Sequence, residues 1–582
     1  MTASGGQRGR AIVAAMPLVH RCAVPSAFVG LLLAACSNTR ASSPSNAPTS
    51  APANAQANAP ATPAPTSDEA AAPVSDVAPT DAAAAPEPDA TPQQPPLFAE
   101  LPGALLLARW SEGVEAADVE NDGDLDLFFA DGPAFDRPGP KQQNQLEINR
   151  LDEAARAFSN ESVLRLGRHA SHAKMVVTGD IDGDGYVDAL FCNAFNTDAP
   201  SLFHNRGATQ PGWFDHESAA RGFTTPYNSG SAQFGDVDDD GDLDLVLCDS
   251  GEHILAGAGA APHLFLNDGR GVFTERADLL PAPAKKARVD VQLADIDGDF
   301  DLDALFANRA ENEGGNHDLL LNDGRGRFTP VAGAVPDASK NVYEIEVGDL
   351  DDDSDLDLFF LSLSDYSEGP AENRLVPHGE LVFAPGTALG GLDDNEAALL
   401  DFDMDGDFDV VVGSLAGEEK VLRNDGGFVF TQLEVPITGV EDPTLDLTIA
   451  DVDRDGRYDI VTAQGEGNPA LYTNRVYLGT GPRDERAPRV VRVSSGRFDE
   501  RTNEWVVHVQ VRDEVMDDGQ DWVRGRARVR LDGAWSEARA TRSAAGLWRF
   551  AMACSDADQG RAALFEFTFE DAAGNTTTAR SL

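Results

Sequence analysis

The chain is short of positive charge. Its 582 residues include 45 Lys and Arg against 98 Asp and Glu, for a formal net charge of −53. Nucleic acid and anionic lipid headgroups both demand basic patches, so neither is an expected partner. Cysteine is scarce, five in all, and no pair of them has zinc spacing. Three signatures of catalysis are missing: G-x-S-x-G, H-E-x-x-H and a phosphate loop. His169 and His172 lie close together but lack a third ligand, so they are expected to be polar surface. No apolar run is long enough for a permanent membrane span; Phe28-Val29-Gly30-Leu31-Leu32-Leu33 is the core of one too short.

What the chain has in excess is one acidic loop, repeated seven times at intervals of about 50–60 residues. Each copy places carboxylates at positions 1, 3, 5 and 9. The sets are Asp118, Glu120, Asp122 and Asp126; Asp180, Asp182, Asp184 and Asp188; Asp236, Asp238, Asp240 and Asp244; and Asp295, Asp297, Asp299 and Asp303. They continue with Asp349, Asp351, Asp353 and Asp357; Asp401, Asp403, Asp405 and Asp409; and Asp451, Asp453, Asp455 and Asp459. Alternate positions on a tight loop aim at one centre, so three short carboxylates converge there. The position-7 carbonyl and the Asp at 9 complete an oxygen shell suited to Ca2+, giving up to seven sites. Glycine at position 6 supplies the positive φ that wraps the loop. Phe300 and Ser354 replace it in the fourth and fifth copies, which are expected to be weaker or distorted. Solvated acidic turns are the plainer alternative, but four shared offsets in seven copies argue for metal.

These are not EF-hands, which require Glu at position 12. Here position 12 is Phe129, Phe191, Leu247, Phe306, Phe360, Val412 or Thr462. Short apolar runs such as Leu245-Val246-Leu247-Cys248 follow the loops, and alternating segments such as Tyr343 to Val347 precede them. Each loop therefore joins two strands. A second turn follows in several repeats: Asn267-Asp268-Gly269, Asn322-Asp323-Gly324 and Asn424-Asp425-Gly426, each leading to a Phe. Four strands per repeat, seven times over, predict an all-β fold: a seven-bladed β-propeller.

The D-x-D-x-D-G-x-x-D loops resemble those of the FG-GAP/VCBS family of integrin-like propellers, over roughly residues 97–480. Phe234-Gly235 preserves the pair that names the family. The resemblance implies calcium ligands on one face and partners that dock elsewhere. Ring closure is expected from the N-terminal side. The seventh repeat lacks an outer strand like Val272-Phe273-Thr274, and Leu97-Phe98-Ala99-Glu100 matches what is missing. Cys192 and Cys248 share one offset in adjacent repeats, where other copies carry mostly small residues. They are expected as buried packing thiols, a disulfide being the lesser reading, and Cys554 has no evident partner.

Residues 1–36 have the form of an export signal, with Arg8 and Arg10 before the apolar core. The core ends in Leu33-Ala34-Ala35-Cys36, which resembles the lipobox of bacterial lipoproteins and implies lipidation at Cys36. Residues 37–96, rich in Ala, Pro, Ser and Thr, cannot bury a core and are expected to form a disordered tether. Its reach is on the order of 40 Å or more. Residues 487–582 have strand-like runs, including Trp505 to Val509 and Leu564 to Phe569. Asp571-Ala572-Ala573-Gly574-Asn575 is similar to the end of bacterial Ig-like domains, so an Ig-like β-sandwich is expected. Asp513, Glu514, Asp517, Asp518 and Asp521 are expected to form a solvated loop, a further cation site being the lesser reading.

The expectation for function is a lipid-anchored, surface-exposed, calcium-binding adhesion or ligand-binding module. It would be monomeric, with an extracellular protein or glycan as partner and the outer membrane or cell surface as location. No catalytic residue is assigned. The alternative is a carbohydrate-active hydrolase or lyase on the same scaffold, which exposed aromatics beside two carboxylates, away from the metal loops, would favour.

Overall fold

The computed structural model describes residues 96–581, apart from 133–136, 152–156, 253–258, 282–284, 310–316, 337–341, 363–368, 376–380, 388, 390–393, 416, 435, 439–442, 467, 517–521, 532 and 555–561. Cys36, the proposed tether and Asp517, Asp518 and Asp521 lie outside the described residues. No helix among them is long and apolar enough to cross a membrane.

Seven antiparallel sheets form a seven-bladed β-propeller. In blade 3 the strands run from the axis outward as Ala232–Gly235, Asp244–Leu247, His263–Asn267 and Phe273–Glu275. Blades 1, 2, 4, 5 and 6 repeat this order over 111–160, 173–216, 288–330, 342–385 and 394–432. The acidic loop joins the first two strands of every blade, and the second strand is buried end to end because it packs against both neighbouring blades. Phe128, Phe191, Phe306 and Phe359 fill the space between blades and are fully buried.

Closure follows the expected route. Phe98–Glu100 pairs antiparallel with Arg475–Gly479 and supplies the fourth strand of blade 7. One strand was not foreseen: Ile437–Thr438 pairs parallel with Phe98–Ala99 and extends that blade to five strands.

The innermost strands carry acids where soluble strands usually carry apolar or neutral residues, and these acids fasten blade to blade. The Asp446 carboxylate accepts the Val114 N–H of blade 1 at 2.6 Å, and Glu344 accepts the Ala397 N–H at 2.6 Å. Asp290 accepts the Ser231 hydroxyl at 3.1 Å. Backbone donors near the axis have no partner within their own sheet, so these bonds satisfy groups that would otherwise be buried unpaired.

Residues 489–580 form an eight-stranded antiparallel assembly with one continuous pairing path. From one edge it runs Arg489–Val493, Glu504–Arg512, Leu547–Ala553, Ser536–Ala544, Arg524–Arg530, Leu564–Glu570 and Thr576–Arg580. Arg497–Asp499 pairs beside Glu504–Arg512. Ser536–Ala544 joins two halves, pairing by its start with Arg524–Arg530 and by its end with Leu547–Ala553. Val507, Val509, Phe550, Phe565 and Phe567 make the core between the halves.

This C-terminal sheet is seated on the loop face of the propeller and shares its core. Ala544, Ala545 and Leu547 belong to the apolar clusters of blades 3 to 5. Val515–Met516 pairs antiparallel with Leu399–Leu400, adding a strand to the inner edge of blade 6. The Trp522 indole donates to the Ile449 carbonyl of blade 7 at 2.8 Å.

Candidate metal centres on the loop face

Each loop is built by its own first carboxylate. In the third copy the Asp240 N–H donates to Asp236 Oδ1 at 3.0 Å and the Gly241 N–H to Oδ2 at 2.9 Å. The Asp242 N–H donates to Asp240 Oδ1 at 3.1 Å. The same bonds recur around Asp118, Asp180, Asp401 and Asp451. They wind the loop so that carboxylates 1, 3 and 5 face one point. In the copies beginning at Asp180, Asp236, Asp295 and Asp349, one oxygen from each of these three residues lies within 4.8 Å of the others.

Position 6 has positive φ in every copy, as expected for glycine, and Phe300 (φ 73°) and Ser354 (φ 77°) adopt it too. The fourth and fifth loops therefore keep the backbone of the rest, contrary to the expected distortion. Phe300 is held in that costly conformation from the C-terminal sheet: it stacks on His508 at 6.3 Å, and Arg492 lies over its ring at 5.1 Å. Position 4 is also left-handed in all seven copies, in Asn121, Gly183, Asp239, Gly298, Asp352, Met404 and Arg454. The mix of residue types there hid this from the sequence.

The position-9 carboxylate begins the second strand and is essentially buried in all seven blades, from Asp126 to Asp459. In blade 3, Asp244 Oδ1 accepts the Asn267 N–H at 2.8 Å and Oδ2 accepts the Val237 N–H at 3.2 Å. Asn267, read from sequence as a turn residue, is a clamp. Its amide donates to the Leu243 carbonyl at 3.0 Å and across to Ile181 of blade 2 at 2.7 Å. Asn149, Asn205, Asn322, Asn373 and Asn424 make the same reach into the preceding blade. An asparagine at or near the end of the third strand in six repeats was the signal available for it.

Burial, then repulsion among loop acids, pushes these carboxyls far above the usual range. Asp126, Asp188, Asp357 and Asp459 rise to about 8, and Asp303 and Asp409 to about 9. Hydrogen-bond acceptors are also left over. Oδ1 of Asp182, Asp238, Asp351 and Asp403, all at position 3, is buried without a partner, as are Oδ1 of Asp295 and Oδ2 of Asp126. A convergent, oxygen-only donor set with orphaned carboxylate atoms fits a hard divalent cation. His204, absent from the sequence-based set, approaches the second copy: its Nε2 lies 2.8 Å from Asp182 Oδ2, and it groups with Asp182 and Asp188.

Arginines from the C-terminal sheet and the linker before it meet the rims of four loops. Arg492 reaches Asp295 at 2.9 Å, Arg512 reaches Asp349 at 3.0 Å and Arg486 reaches Asp401 at 3.1 Å. At the third loop Arg549 and His508 both bond Asp239 Oδ1 at 2.9 Å, and Arg497 joins them. Burial opposes ionisation of Asp239, yet His508, Arg549 and Arg497 hold its carboxyl down to about 2.

The chain carries FG-GAP-like repeats. The family matches at residues 180–247 and 401–462, which contain four of the seven loops, those beginning at Asp180, Asp236, Asp401 and Asp451. The FG-GAP propeller is similar to mouse cartilage acidic protein 1, at 26% identity over 411 residues, covering 56% of this chain and 61% of that protein. The human protein of that name is 25% identical over 404 residues, covering 54% and 58%. The chain thus spans about three fifths of the length of these relatives. Among solved structures, a fungal alcohol oxidase of the AA5 family, in complex with copper, aligns with a TM-score of 0.40 at 10% identity, covering 82% of this chain and 98% of that one. A Penicillium chrysogenum α-L-arabinanase complexed with arabinobiose aligns at 0.35 with 8% identity, covering 66% and 97%. From likenesses at that level no chemistry follows.

Other residues singled out by sequence have plainer places. Cys192 and Cys248 are free and fully buried, and burial pushes the Cys192 thiol up to about 12. His172 is not surface: it is 4% exposed and bridges Thr197 Oγ1 at 2.7 Å and the Gly139 carbonyl at 2.9 Å. His169 packs on His216 with ring centroids 4.1 Å apart. Asp513 and Glu514 are buried, not solvated.

Proposed function

We propose that this FG-GAP propeller is a calcium-bound binding module that presents its outer and far surfaces to an extracellular partner while the C-terminal sheet covers the loop face. The observation that carries the reading is the convergence of loop carboxylates with orphaned buried oxygens. Such loops bind calcium for rigidity, and a rigid ring offers a pre-organised surface at low entropic cost. The large exposed hydrophobics among the described residues are Leu106, Val163, Leu164, Val272 and Val429, all aliphatic. Sugar-stacking platforms use aromatics, so a protein partner is favoured over a glycan, and a binding role over glycan hydrolysis.

We further propose export and lipidation at Cys36, with the 37–96 segment as tether to a cell-surface or outer-membrane bilayer. Acyl chains would supply the anchoring. Expressed in a Gram-negative host, the protein should incorporate a fatty-acid probe, and Cys36→Ser should not; labelling that persists in the variant rejects the anchor. For the binding role, the purified ectodomain is passed over glycan and extracellular-protein arrays with calcium and with EGTA. Calcium-dependent capture by a protein set is expected. Release of sugar from glycan substrates would contradict it.

A further inference from the structure

Apart from the seven loops, four acids are buried together where the C-terminal sheet meets blades 6 and 7. Asp513 and Glu514 directly follow strand Glu504–Arg512, Asp484 lies in the linker after the propeller, and Asp571 opens the last turn of the chain. Their exposures are 8%, 6%, 6% and 4%. Backbone bonds fix the frame: the Asp484 N–H donates to Gly456 of the seventh loop at 2.7 Å, and the Asp401 N–H of the sixth loop donates to the Glu514 carbonyl at 2.8 Å.

The side chains have few partners. Asp484 Oδ1 accepts the Arg486 N–H at 2.9 Å and the Asn575 amide at 3.5 Å, and its Oδ2 accepts the Tyr458 hydroxyl at 3.3 Å. Asp571 Oδ1 accepts the Asn575 N–H at 2.8 Å. Both oxygens of Asp513, Oε2 of Glu514 and Oδ2 of Asp571 are buried with no partner. Burial, then the neighbouring Glu514 carboxyl, which can share a hydrogen bond with Asp513 only when one of the pair is protonated, and then the charges of Glu514, Asp571 and Asp484 drive the Asp513 carboxyl far up. The Tyr458 phenol, whose hydroxyl bonds Asp484, is raised by burial and then by the charges of Asp513, Asp484, Glu514 and Asp571.

Arg486, Arg489 and Arg512 line a cleft with Asp513 and Glu514, but their guanidinium groups are taken by Asp401, Asp352 and Asp349 at 3.1, 2.7 and 3.0 Å. The cluster is thus anionic, oxygen-only and short of hydrogen-bond donors. Four unpartnered oxygens at such burial demand either protons or a cation.

We propose that Asp484, Asp513, Glu514 and Asp571 form a further calcium site that clasps the C-terminal sheet to the propeller. Carboxylates from a linker, a strand end and a terminal turn supply ligands from three separate stretches of chain, so the ion would join what the sequence keeps apart. The donor set suits the six to eight oxygens that calcium takes.

Equilibrium dialysis with radioactive calcium on the full ectodomain tests the site. The double variant Asp513→Asn with Glu514→Gln should bind one ion fewer than the parent. In EGTA it should melt above the parent, since repulsion is gone, and in calcium it should gain less. Terbium-soaked crystals of the parent should show an anomalous peak among the four acids. Should the double variant fold poorly, Asp571→Asn, which preserves the acceptor for Asn575, must still lower the count or weaken the terbium peak. Equal counts in parent and variants, or terbium in the loops alone, would mean that the acids share protons and would overturn the site. A terbium peak here with none in the loops would keep this site and reject the loop reading.

Discussion

In blades 1 to 6 two residues, an asparagine and the position-9 carboxylate, tie the ring together. The Asn322 amide satisfies the Val237 and Leu302 carbonyls at 2.7 and 3.0 Å, one in the preceding blade and one in its own. Asn322→Ala strands the Leu302 carbonyl in the interior, whereas the Val237 carbonyl keeps the Gly326 N–H at 2.9 Å. An unsatisfied buried acceptor costs about 1–3 kcal/mol, so urea unfolding should show a loss of that order, while substitution of the solvent-facing Arg325 changes little. The position-9 carboxylates set the response to pH in the absence of metal. Their folded values of about 8 to 9 lie well above the ordinary ~3.9 of an unfolded Asp. The unfolded chain releases these protons from about pH 4 upward, whereas the folded chain keeps them until about 8 or 9. Stability in EGTA should therefore fall as pH rises across that window. Calcium, by favouring the ionised form, should flatten the slope. Melts in EGTA at pH 5 and pH 8 check this: a higher midpoint at pH 8 would contradict the buried, metal-starved carboxylates.

At the scale of elements, blade 7 is closed by three residues from the far end of the propeller's chain. Phe98 is 3% exposed and packs with Ile437 and Tyr477. Phe98→Ala removes a buried aromatic and loosens the only blade assembled from both ends, for an expected loss of about 3–5 kcal/mol, read from chemical denaturation. The strands, both hairpin types and this closure were legible because each leaves a local trace: alternation, a fixed carboxylate spacing, an Asn-Asp-Gly turn, an unmatched outer strand. The parallel pairing of Ile437–Thr438 left none, since two residues carry no period. Nor did the seating of the C-terminal sheet. Arg492, Arg512 and Arg549 sit on strands whose alternation marks a face as polar, and a polar face facing water and one facing seven acidic loops look alike in sequence. Phe300 misled for a related reason: judged within its loop it is a misplaced glycine, whereas the structure sets it against His508 and Arg492.

For the whole molecule, the balance of charge organises the architecture. A propeller carrying most of an excess of 53 negative charges directs its loop acids at a sheet that offers arginines. Arg549, 1% exposed, bridges Asp239 and Glu504 at 2.9 Å each. Arg549→Met takes a buried partner from Asp239, which keeps His508 and Arg497, and from Glu504; breaking a buried pair costs about 3–5 kcal/mol, and the remaining partners put the expected loss at the low end, about 3 kcal/mol. The C-terminal sheet should then loosen from the ring, seen as faster proteolysis in the 480–488 linker; unchanged cleavage would argue that apolar contacts through Ala544, Ala545 and Leu547 suffice.

The proposed loop calcium should dominate the stability of the whole ring. At ten times the dissociation constant one site adds ~1.4 kcal/mol through mass action, and seven together add roughly 10 kcal/mol, comparable to the net stability of an ordinary domain. Thermal melts of the purified protein in millimolar calcium and in EGTA measure that quantity directly. In calcium the midpoint should be higher by roughly ten degrees or more; coincident midpoints would contradict calcium binding by the loops.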